Sequence, residues 1–462
     1  MANAHQMSND GSDVTEVDVV IVGAGLAGLT TAWRLHRAGV TSMAVLEAQS
    51  RVGGRTLNYP VEVAGFVEQG GTWVGPTHHH LLALAREVGV RITPGKPEGK
   101  TFYGNGGQWE QVDSANEEGS AAQTDFEQAL SVFEALSATI DTENPARSPD
   151  SDALDRTTMG AWIAANTRTA GGKALFEGCI RKMQGGDPGD VSLLWMLQFI
   201  GSATFGDLLH TAEDYRFVGG SHSVSIALAK ELEAFVTLNA PVDRVSDYSG
   251  KRIDVSSGNR VWRAKRLVIA TMPSCVDKII FDPPLPHDHR QLAADWSTMS
   301  WIKFNAIYPT PFWRENTVGC QFLCLDRLVE AFDISPKTGE WGEIVGFILP
   351  DSPGRKAEER EAFCLDFLED VYGPGAGTPL SLSIIDWNAN AWTGGCVSAP
   401  RPGVLTSCPD GLTKPVGRVD WAGTERADVW VNYMEGAVRS GERAARRVLS
   451  ALTLEDVVMP AA

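Results

Sequence analysis

The chain has 462 residues, 43% of them hydrophobic and 21% charged, with a formal net charge of −18. That length calls for two or more domains, and the apolar content suffices for sizeable cores. The negative balance argues against nucleic acid as a partner, because any basic patch would first have to overcome the field of the whole molecule; its plain reading is solubility, with a mild attraction for small cations.

Seven scattered cysteines with no C-x-x-C pair look like neither a disulfide framework nor a zinc site, and they suit a reducing, cytoplasmic setting. The polar start, residues 1–16, reads as a disordered tail without the apolar core of a signal peptide. No run reaches the length needed to cross a bilayer, so no membrane anchor is expected.

The first apolar run, 17–22, is rich in β-branched residues and reads as a buried strand. It leads into Gly23-Ala24-Gly25-Leu26-Ala27-Gly28, a G-x-G-x-x-G that opens a helix ending near Gly39. Gly23 permits the tight turn, Gly25 leaves room for a pyrophosphate, and Gly28 lets helix and strand pack closely; the helix N-terminus adds free N–H groups and a positive dipole end. A second run, 43–46, delivers Glu47, where a carboxylate can accept from an adenosine ribose hydroxyl. The glycine pattern alone is weak, but strand, helix, second strand and acid in this order describe a dinucleotide site. In Arg51-Val52-Gly53-Gly54-Arg55-Thr56, two arginines around a flexible Gly-Gly can bring guanidinium forks to a pyrophosphate.

Glu68-Gln69-Gly70-Gly71-Thr72-Trp73 is a glycine-rich connection ahead of an amphipathic helix with Leu81, Leu82, Leu84, Ala85 and Val88 on its apolar side. His78-His79-His80 reads as a solvated helix start and not as a metal site, because adjacent histidines on a helix point in different directions. From about 91 to 214 the pattern is helical, at 126–140, 159–165 and 191–199, between polar loops. Residues 300–308 alternate as a strand, in which Lys303 is out of place; a lone lysine there would ordinarily snorkel to the surface. A loop at 350–356, a surface helix at 359–371 and a strand at 382–387 follow. Trp392-Thr393-Gly394-Gly395-Cys396-Val397, then Ala422-Gly423-Thr424-Glu425, lead to a final helix over 432–449 that begins Asn432-Tyr433-Met434-Glu435-Gly436.

The stretch from Glu47 to Thr56, and the A-G-T-E followed by Y-M-E-G-A-V near the end, resemble the signatures of the flavin-dependent amine oxidases, the monoamine oxidase and polyamine oxidase superfamily. The order of the intervening segments agrees over nearly the whole chain. The resemblance implies FAD and an α/β fold of amine oxidase/p-hydroxybenzoate hydroxylase-like architecture. A discontinuous Rossmann-like FAD-binding domain would take 17–90, 216–292 and 391–450, and an α+β substrate-binding domain 91–215 and 293–390, with a C-terminal tail at 451–462.

The resemblance also implies that Gly71 and Thr72 pass close to the flavin ring and that Val242 marks a strand edge, 239–242, beneath the adenine. Gly423, Thr424, Glu425 and the helix start at Met434 would lie under the isoalloxazine, where the helix N–H groups favour negative charge on the reduced ring. Lys303 would hold a water against flavin N5, and Phe332 would stand at the substrate entrance. Cys396 takes the place of the cysteine that monoamine oxidases bond covalently to FAD; a buried free cysteine is the other reading. Tyr433 and Val397 occupy the two walls that grip the amine. Val397 lacks a π-face, so the half-open cage points to a long-chain or branched aliphatic amine, or a polyamine, over benzylamine-like substrates. Glu213 and Asp214 are surface acids that could attract a second cationic group.

The implied activity is oxidative deamination of a primary amine by O2, giving aldehyde or ketone, ammonia and hydrogen peroxide, with no metal. Two other readings are another flavin oxidoreductase on this fold, such as an amino-acid oxidase or a desaturase, and a non-enzymatic binding protein of the GDP-dissociation-inhibitor kind. Lys303 and the Tyr433 helix start speak against the second. Animal monoamine oxidases end in a membrane helix, from which this chain departs; a homodimer is left open.

Overall fold

The computed structural model describes residues 5–7, 13–95, 100–105, 108–111, 120–299, 301–316, 321–324, 327–349 and 352–458. Ser300, Cys320 and Pro350 lie outside them.

At the centre of a nine-stranded sheet is Asp13–Val22, paired in parallel with Met43–Leu46 on one side and Arg260–Ile269 on the other. Val236–Thr237 and Val419–Trp421 extend the parallel part. A parallel sheet is covered on both faces, which is why its strands are continuous runs such as Val19-Val20-Ile21, all fully buried. The strand begins earlier than the expected tail allows. Val14, Thr15 and Glu16 already pair with Val261, Trp262 and Arg263, and His5–Met7 adds an antiparallel strand against Asp13, Val14 and Thr15. The long neighbour Arg260–Ile269 supplies the ladder that draws residues 13–16 into order.

The helix Leu26–Arg37 covers this sheet, and the terminal helix Met434–Val458 packs across it. Thr31 Oγ1 donates to Gly441 O at 3.1 Å, and a Cβ on Gly441 would run into the Ala27 carbonyl. The terminal helix continues past the expected end at 449, because no glycine or proline interrupts the chain before Pro460.

A seven-stranded sheet forms the second half, in the order Ser381–Asp386, Ile302–Tyr308, Gly342–Ile348, Val329–Asp333, Gln321–Cys324, Thr101–Asn105, Gln108–Gln111. Every residue of Ile302–Tyr308 is buried, yet its two faces differ. Phe304 and Tyr308 join Ile344, Ile348 and the helix Arg360–Tyr372 in one core, with Phe304 6.4 Å from Phe367. Lys303 and Asn305 point the other way, as the two-residue period requires.

Ile92–Pro94, Thr101–Asn105 and Gln108–Gln111 are therefore strands and not the start of the helical region. Ile92–Pro94 pairs with Tyr215–Phe217, and Thr101–Asn105 completes the sheet, consistent with the β-branched and aromatic residues in both. Helices then follow at Ala121–Ser137, Ser151–Arg156, Met159–Asn166, Ala170–Gln184 and Leu193–Gly201. The fourth escaped the pattern because Gly171, Gly172 and Gly178 dilute it; Thr169 Oγ1 caps it by accepting from Gly172 N–H, and Gly185 in the left-handed region ends it. Phe133, Trp162 and Phe176 pack edge-on at 5.1–5.8 Å in this helical core, which Val404, Leu405 and Cys408 also enter.

Two glycines test this packing in opposite senses. A Cβ on Gly28 would overlap the Gly23 carbonyl, so Gly28→Ala should cost about 1–3 kcal/mol of stability, read from the urea unfolding midpoint. Gly178 lies exposed within its helix, with open space where a Cβ would stand, so Gly178→Ala should raise stability by about 0.5–1 kcal/mol.

Candidate active site

An open cleft, with about 1310 Å³ of free space counted together with the solvent at its mouth, runs along the carboxyl ends of the central parallel strands, where open α/β sheets place their ligands. Gly23, Gly25, Glu47, Gly54, Arg55 and Val242 line it from the first half of the chain, and Gly71 joins them from the glycine-rich connection. From the C-terminal half come Cys396, Gly423, Thr424, Tyr433 and Met434. Gly28 stands behind the wall, closing the first helix on the turn at Gly23, where φ is +100° and only glycine is unstrained. Residues 239–242 form a turn and not a strand edge; Asn239 has φ +54°, and Ala240 N–H donates to Glu47 O at 2.8 Å, which holds Val242 at the cleft.

The two arginines are used differently. Arg51 donates to the carbonyls of Val52, Gly54 and Thr56 at 2.7–3.0 Å, so it knits its own loop. Arg55 reaches across the cleft. Its Nη1 lies 2.6 Å from Glu425 Oε1 and also donates to Cys396 O at 3.0 Å. Burial works against the guanidinium charge, but the Glu425 carboxylate more than compensates and leaves its pKa raised. Glu425 is fully buried, and its Oε2 has no hydrogen-bond partner among the described residues. Glu47 Oε2 accepts from Ala24 N–H at 2.7 Å and Oε1 from Gln49 N–H at 2.9 Å.

The start of the terminal helix is tied to the strand after Cys396. Asn432 Nδ2 donates to Ser398 O at 3.0 Å, and Thr424 Oγ1 donates to Tyr433 O at 2.7 Å. Val397 is buried, pairing with Met299. Around Tyr433 the rings of Trp430, His78 and Phe199 stand at 4.9, 5.7 and 6.1 Å, and burial pushes its phenol well above the ordinary range.

Lys303, 4% exposed, donates from Nζ to Gly70 O at 2.8 Å and to Thr72 Oγ1 at 2.6 Å. It is therefore aimed inward and does not snorkel. Burial lowers its pKa to about 8 despite the nearby Glu68. The rings of Trp73 and Phe347 flank it, with centroids at 5.8 and 5.6 Å. Phe332 packs edge-on to Trp73 at 5.5 Å, and Lys182 Nζ lies 5.7 Å over its other side.

The histidine run departs from expectation. His79 is exposed and His80 pairs with Glu442 at 2.7 Å, but His78 is 1% exposed and stands edge-on to Trp430 at 4.2 Å. Its Nδ1 accepts from Gly75 N–H at 3.0 Å, and desolvation drops its pKa to about 3. The helix start is thus buried against Trp430 and Tyr433, two residues more than 350 positions away that no local pattern could announce. Among the described residues no group of three or more His, Cys, Asp or Glu is placed to hold a metal ion, and no helix is long and apolar enough to cross a membrane.

The residues present fit a flavin dinucleotide. Gly23 and Gly25 let backbone approach a pyrophosphate, Glu47 stands beyond the second parallel strand, and Gly423, Thr424, Tyr433 and Met434 around the start of the terminal helix line the same cleft. Comparison with known proteins agrees. Residues 26–449 match the model of the family described as flavin containing amine oxidoreductase. A probable flavin-containing monoamine oxidase A of Dictyostelium discoideum is 32% identical over 94% of this chain and 98% of its own length. Among solved structures, cyclohexylamine oxidase from Brevibacterium oxydans IH-35A superposes with a TM-score of 0.86 at 32% identity, covering 95% of this chain and 99% of that one. Wild-type putrescine oxidase bound to putrescine gives 0.87 at 29% identity, covering 95% and 100%. The chain belongs to the flavin-containing amine oxidase family. It is an oxidoreductase that uses FAD.

The buried His78 makes stability depend on acid. Its folded pKa, about 3, lies below the unfolded value of 6.5, so the unfolded chain binds the extra proton and stability falls as pH drops from about 6.5 towards about 3. His78→Phe should reduce this loss by about 1.4 kcal/mol for each unit below that upper limit, read from urea midpoints at about pH 7 and about pH 5.

Proposed function

We propose that this enzyme oxidises a primary amine on a long-chain or branched aliphatic group, diamines included, with O2 as second substrate, releasing an aldehyde or ketone, ammonia and hydrogen peroxide. The substrate reading rests on the two positions that the family resemblance makes the walls around the amine: Tyr433 lines the cleft, and Val397 directly follows the lining residue Cys396. Tyr433 offers a ring, whereas Val397, tied to the same helix start through the Asn432–Ser398 bond, offers only a small aliphatic group. A slim aromatic amine would lack one partner face there, while a bulkier aliphatic chain gains volume. Trp430 and His78 brace the Tyr433 ring from behind. The names of two similar enzymes, cyclohexylamine oxidase and putrescine oxidase, support an aliphatic substrate.

In this reading, the N–H groups at Gly23 to Gly28 cradle the pyrophosphate, and Glu47, a carboxylate with lone pairs beyond the two it already uses, accepts from the ribose. Arg55 and Glu425 brace the ring end, and Met434 begins the helix whose N–H groups face it. FAD supplies the redox chemistry when bound. Lys303, anchored on Gly70 O and Thr72 Oγ1, holds a water at the reacting face, and its lowered pKa lets Nζ give up or take a proton close to neutral pH. Trp73, Phe332 and Phe347 keep that side apolar and dry, so the amine reacts as the free base. Cys396 lines the cleft with Arg55 and Lys303 favouring its thiolate against the burial that raises its pKa, which suits a covalent link to FAD.

Three measurements check this reading. On wild type, kcat/KM should be higher for a long alkyl amine and a diamine than for benzylamine, and Val397→Tyr should lower the value for a branched amine about tenfold, the scale of filling a pocket by more than one methylene; benzylamine leading on wild type would sink it. Lys303→Met should retain FAD but slow flavin reduction or reoxidation, and unchanged turnover would show that Lys303 is misplaced in this scheme. After acid precipitation the yellow colour should stay with the pellet, whereas full release to the supernatant would show that Cys396 is only a neighbour.

A further inference from the structure

The face of the seven-stranded sheet that carries Lys303 and Asn305 also carries Glu343. The two strands run antiparallel in the register Lys303↔Phe347, Asn305↔Val345, Ile307↔Glu343, and side chains on alternate positions share a side. Glu343 is 5% exposed and Asn305 1%. Two groups from the dinucleotide half close the cluster. Arg216 Nη2 pairs with Glu68 Oε2 at 2.9 Å, and Ser221 N–H donates to Glu68 Oε1 at 2.7 Å. Glu68 immediately precedes the Gln69-Gly70-Gly71-Thr72 turn that Lys303 holds, and Ser221 Oγ donates to Gly71 O at the cleft wall.

Burial pushes Glu343 up to about 7, with Arg216 and Lys303 favouring its charge and Glu68 opposing it. The next strand contributes Glu330, but Lys182 pairs with it at 2.7 Å. The cluster therefore holds two carboxylates, Glu68 and Glu343, against two cations, Arg216 and Lys303. Glu68 is committed to Arg216 by two hydrogen bonds from the guanidinium, at 2.9 and 3.2 Å. Glu343 Oε1 has no hydrogen-bond partner among the described residues. Its neighbours along the same face of its strand, Val345 and Phe347, are apolar. A buried carboxyl there, incompletely hydrogen-bonded, costs stability where a third apolar residue would not, so its charge is what distinguishes the position.

We propose that Glu343 is a positioning residue for Lys303: its buried carboxylate is the counter-charge that decides whether Lys303 stands at the flavin cleft as an ammonium or as a neutral amine. Protonating Glu343 leaves the cluster with one excess positive charge, and the proton most easily shed in response is the one on Lys303 Nζ, since Arg216 keeps its own. Ionising Glu343 restores neutrality and fixes the ammonium. The pair thereby exchanges charge within one buried site while Thr72 Oγ1 and Gly70 O keep Nζ in place. The inference rests on the reading that Lys303 faces the reacting centre.

The test compares wild type, Glu343→Gln, Glu343→Asp, Lys303→Met and the Glu343→Gln/Lys303→Met double variant, all as FAD-loaded enzyme. The first readout needs no turnover: urea midpoints across pH. A carboxyl whose folded pKa is raised binds its proton in the folded state over the window from 4.5 to about 7, so the contribution of Glu343 to stability falls as pH rises through that window, opposing the rise that His78 contributes below about 6.5. Glu343→Gln should remove this opposing contribution, so its midpoint should rise more steeply with pH than that of wild type, and its effect on the midpoint should differ between the wild-type and Lys303→Met backgrounds. The second readout is the rate at which the reduced enzyme reacts with O2, in which no amine takes part. Its lysine-dependent pH limb, absent in Lys303→Met, should move down by about one unit in Glu343→Gln, the scale of one lost charge about 12 Å away at an effective dielectric of about 20, in keeping with the four-residue offset between Lys303 and Glu343 in the register, and should return towards wild type in Glu343→Asp.

Strictly additive midpoints together with coincident limbs in wild type and Glu343→Gln would overturn the proposal. Coupled midpoints with Lys303→Met reoxidising like wild type would uphold the charge exchange and overturn the reaction role given to Lys303.

Discussion

The ion pair between Arg55 and Glu425, 2.6 Å long and with its carboxylate fully buried, joins the two ends of the chain at the cofactor cleft. The glycine loop of the first parallel strand can hold a pyrophosphate by itself, but a flavin ring also needs a far wall. That wall comes from the segment after Val419–Trp421 and from the helix beginning at Met434, the last elements to be made. Separating a buried pair of this kind leaves an uncompensated charge, at a cost of about 3–5 kcal/mol. Both signatures must therefore be folded and in register before the cleft exists. Arg55 extends the same link to the Cys396 carbonyl, so the turn that presents Cys396 and Val397 is set by the same guanidinium.

The second half of the molecule contributes through one strand. Ile302–Tyr308 is buried on both faces between two antiparallel neighbours, and a side chain on such a strand has little freedom. Lys303 consequently reaches from the seven-stranded sheet as a rigid strut onto Gly70 O and Thr72 Oγ1. Beside it, Trp387 Nε1 donates to Gln69 O at 3.0 Å and Gln69 Nε2 to Ser383 Oγ. The connection 68–73 is thus gripped by Lys303, Ser383 and Trp387 on one side and by Arg216 and Ser221 on the other. This grip places the seven-stranded sheet against the cleft wall at Gly71.

Local chemistry made the dinucleotide half readable. A glycine loop between a β-branched strand and a helix has few other uses, and the Y-M-E-G helix start is almost as specific. Lys303 stood out for a simple reason: a charged residue in a strand otherwise apolar but for Asn305 demands an explanation. What remained hidden depends on distant partners. The strands at 92–94 and 101–105 are too short to announce themselves and are stabilised by pairing with residues more than 120 and 200 positions later. His78 is buried by Trp430 and Tyr433, and Arg51 is absorbed by carbonyls of its own loop. Glu343 begins a strand that would pass for an ordinary solvated edge until the register sets it on the same face as Lys303.

The most direct test of the whole account is to mix the purified protein anaerobically with an aliphatic primary amine and follow its visible spectrum. The account predicts flavin bands that bleach on mixing and return when O2 is admitted, with hydrogen peroxide formed in step. A colourless protein that takes up no FAD, or a bound flavin that stays oxidised with every aliphatic amine offered, would contradict it.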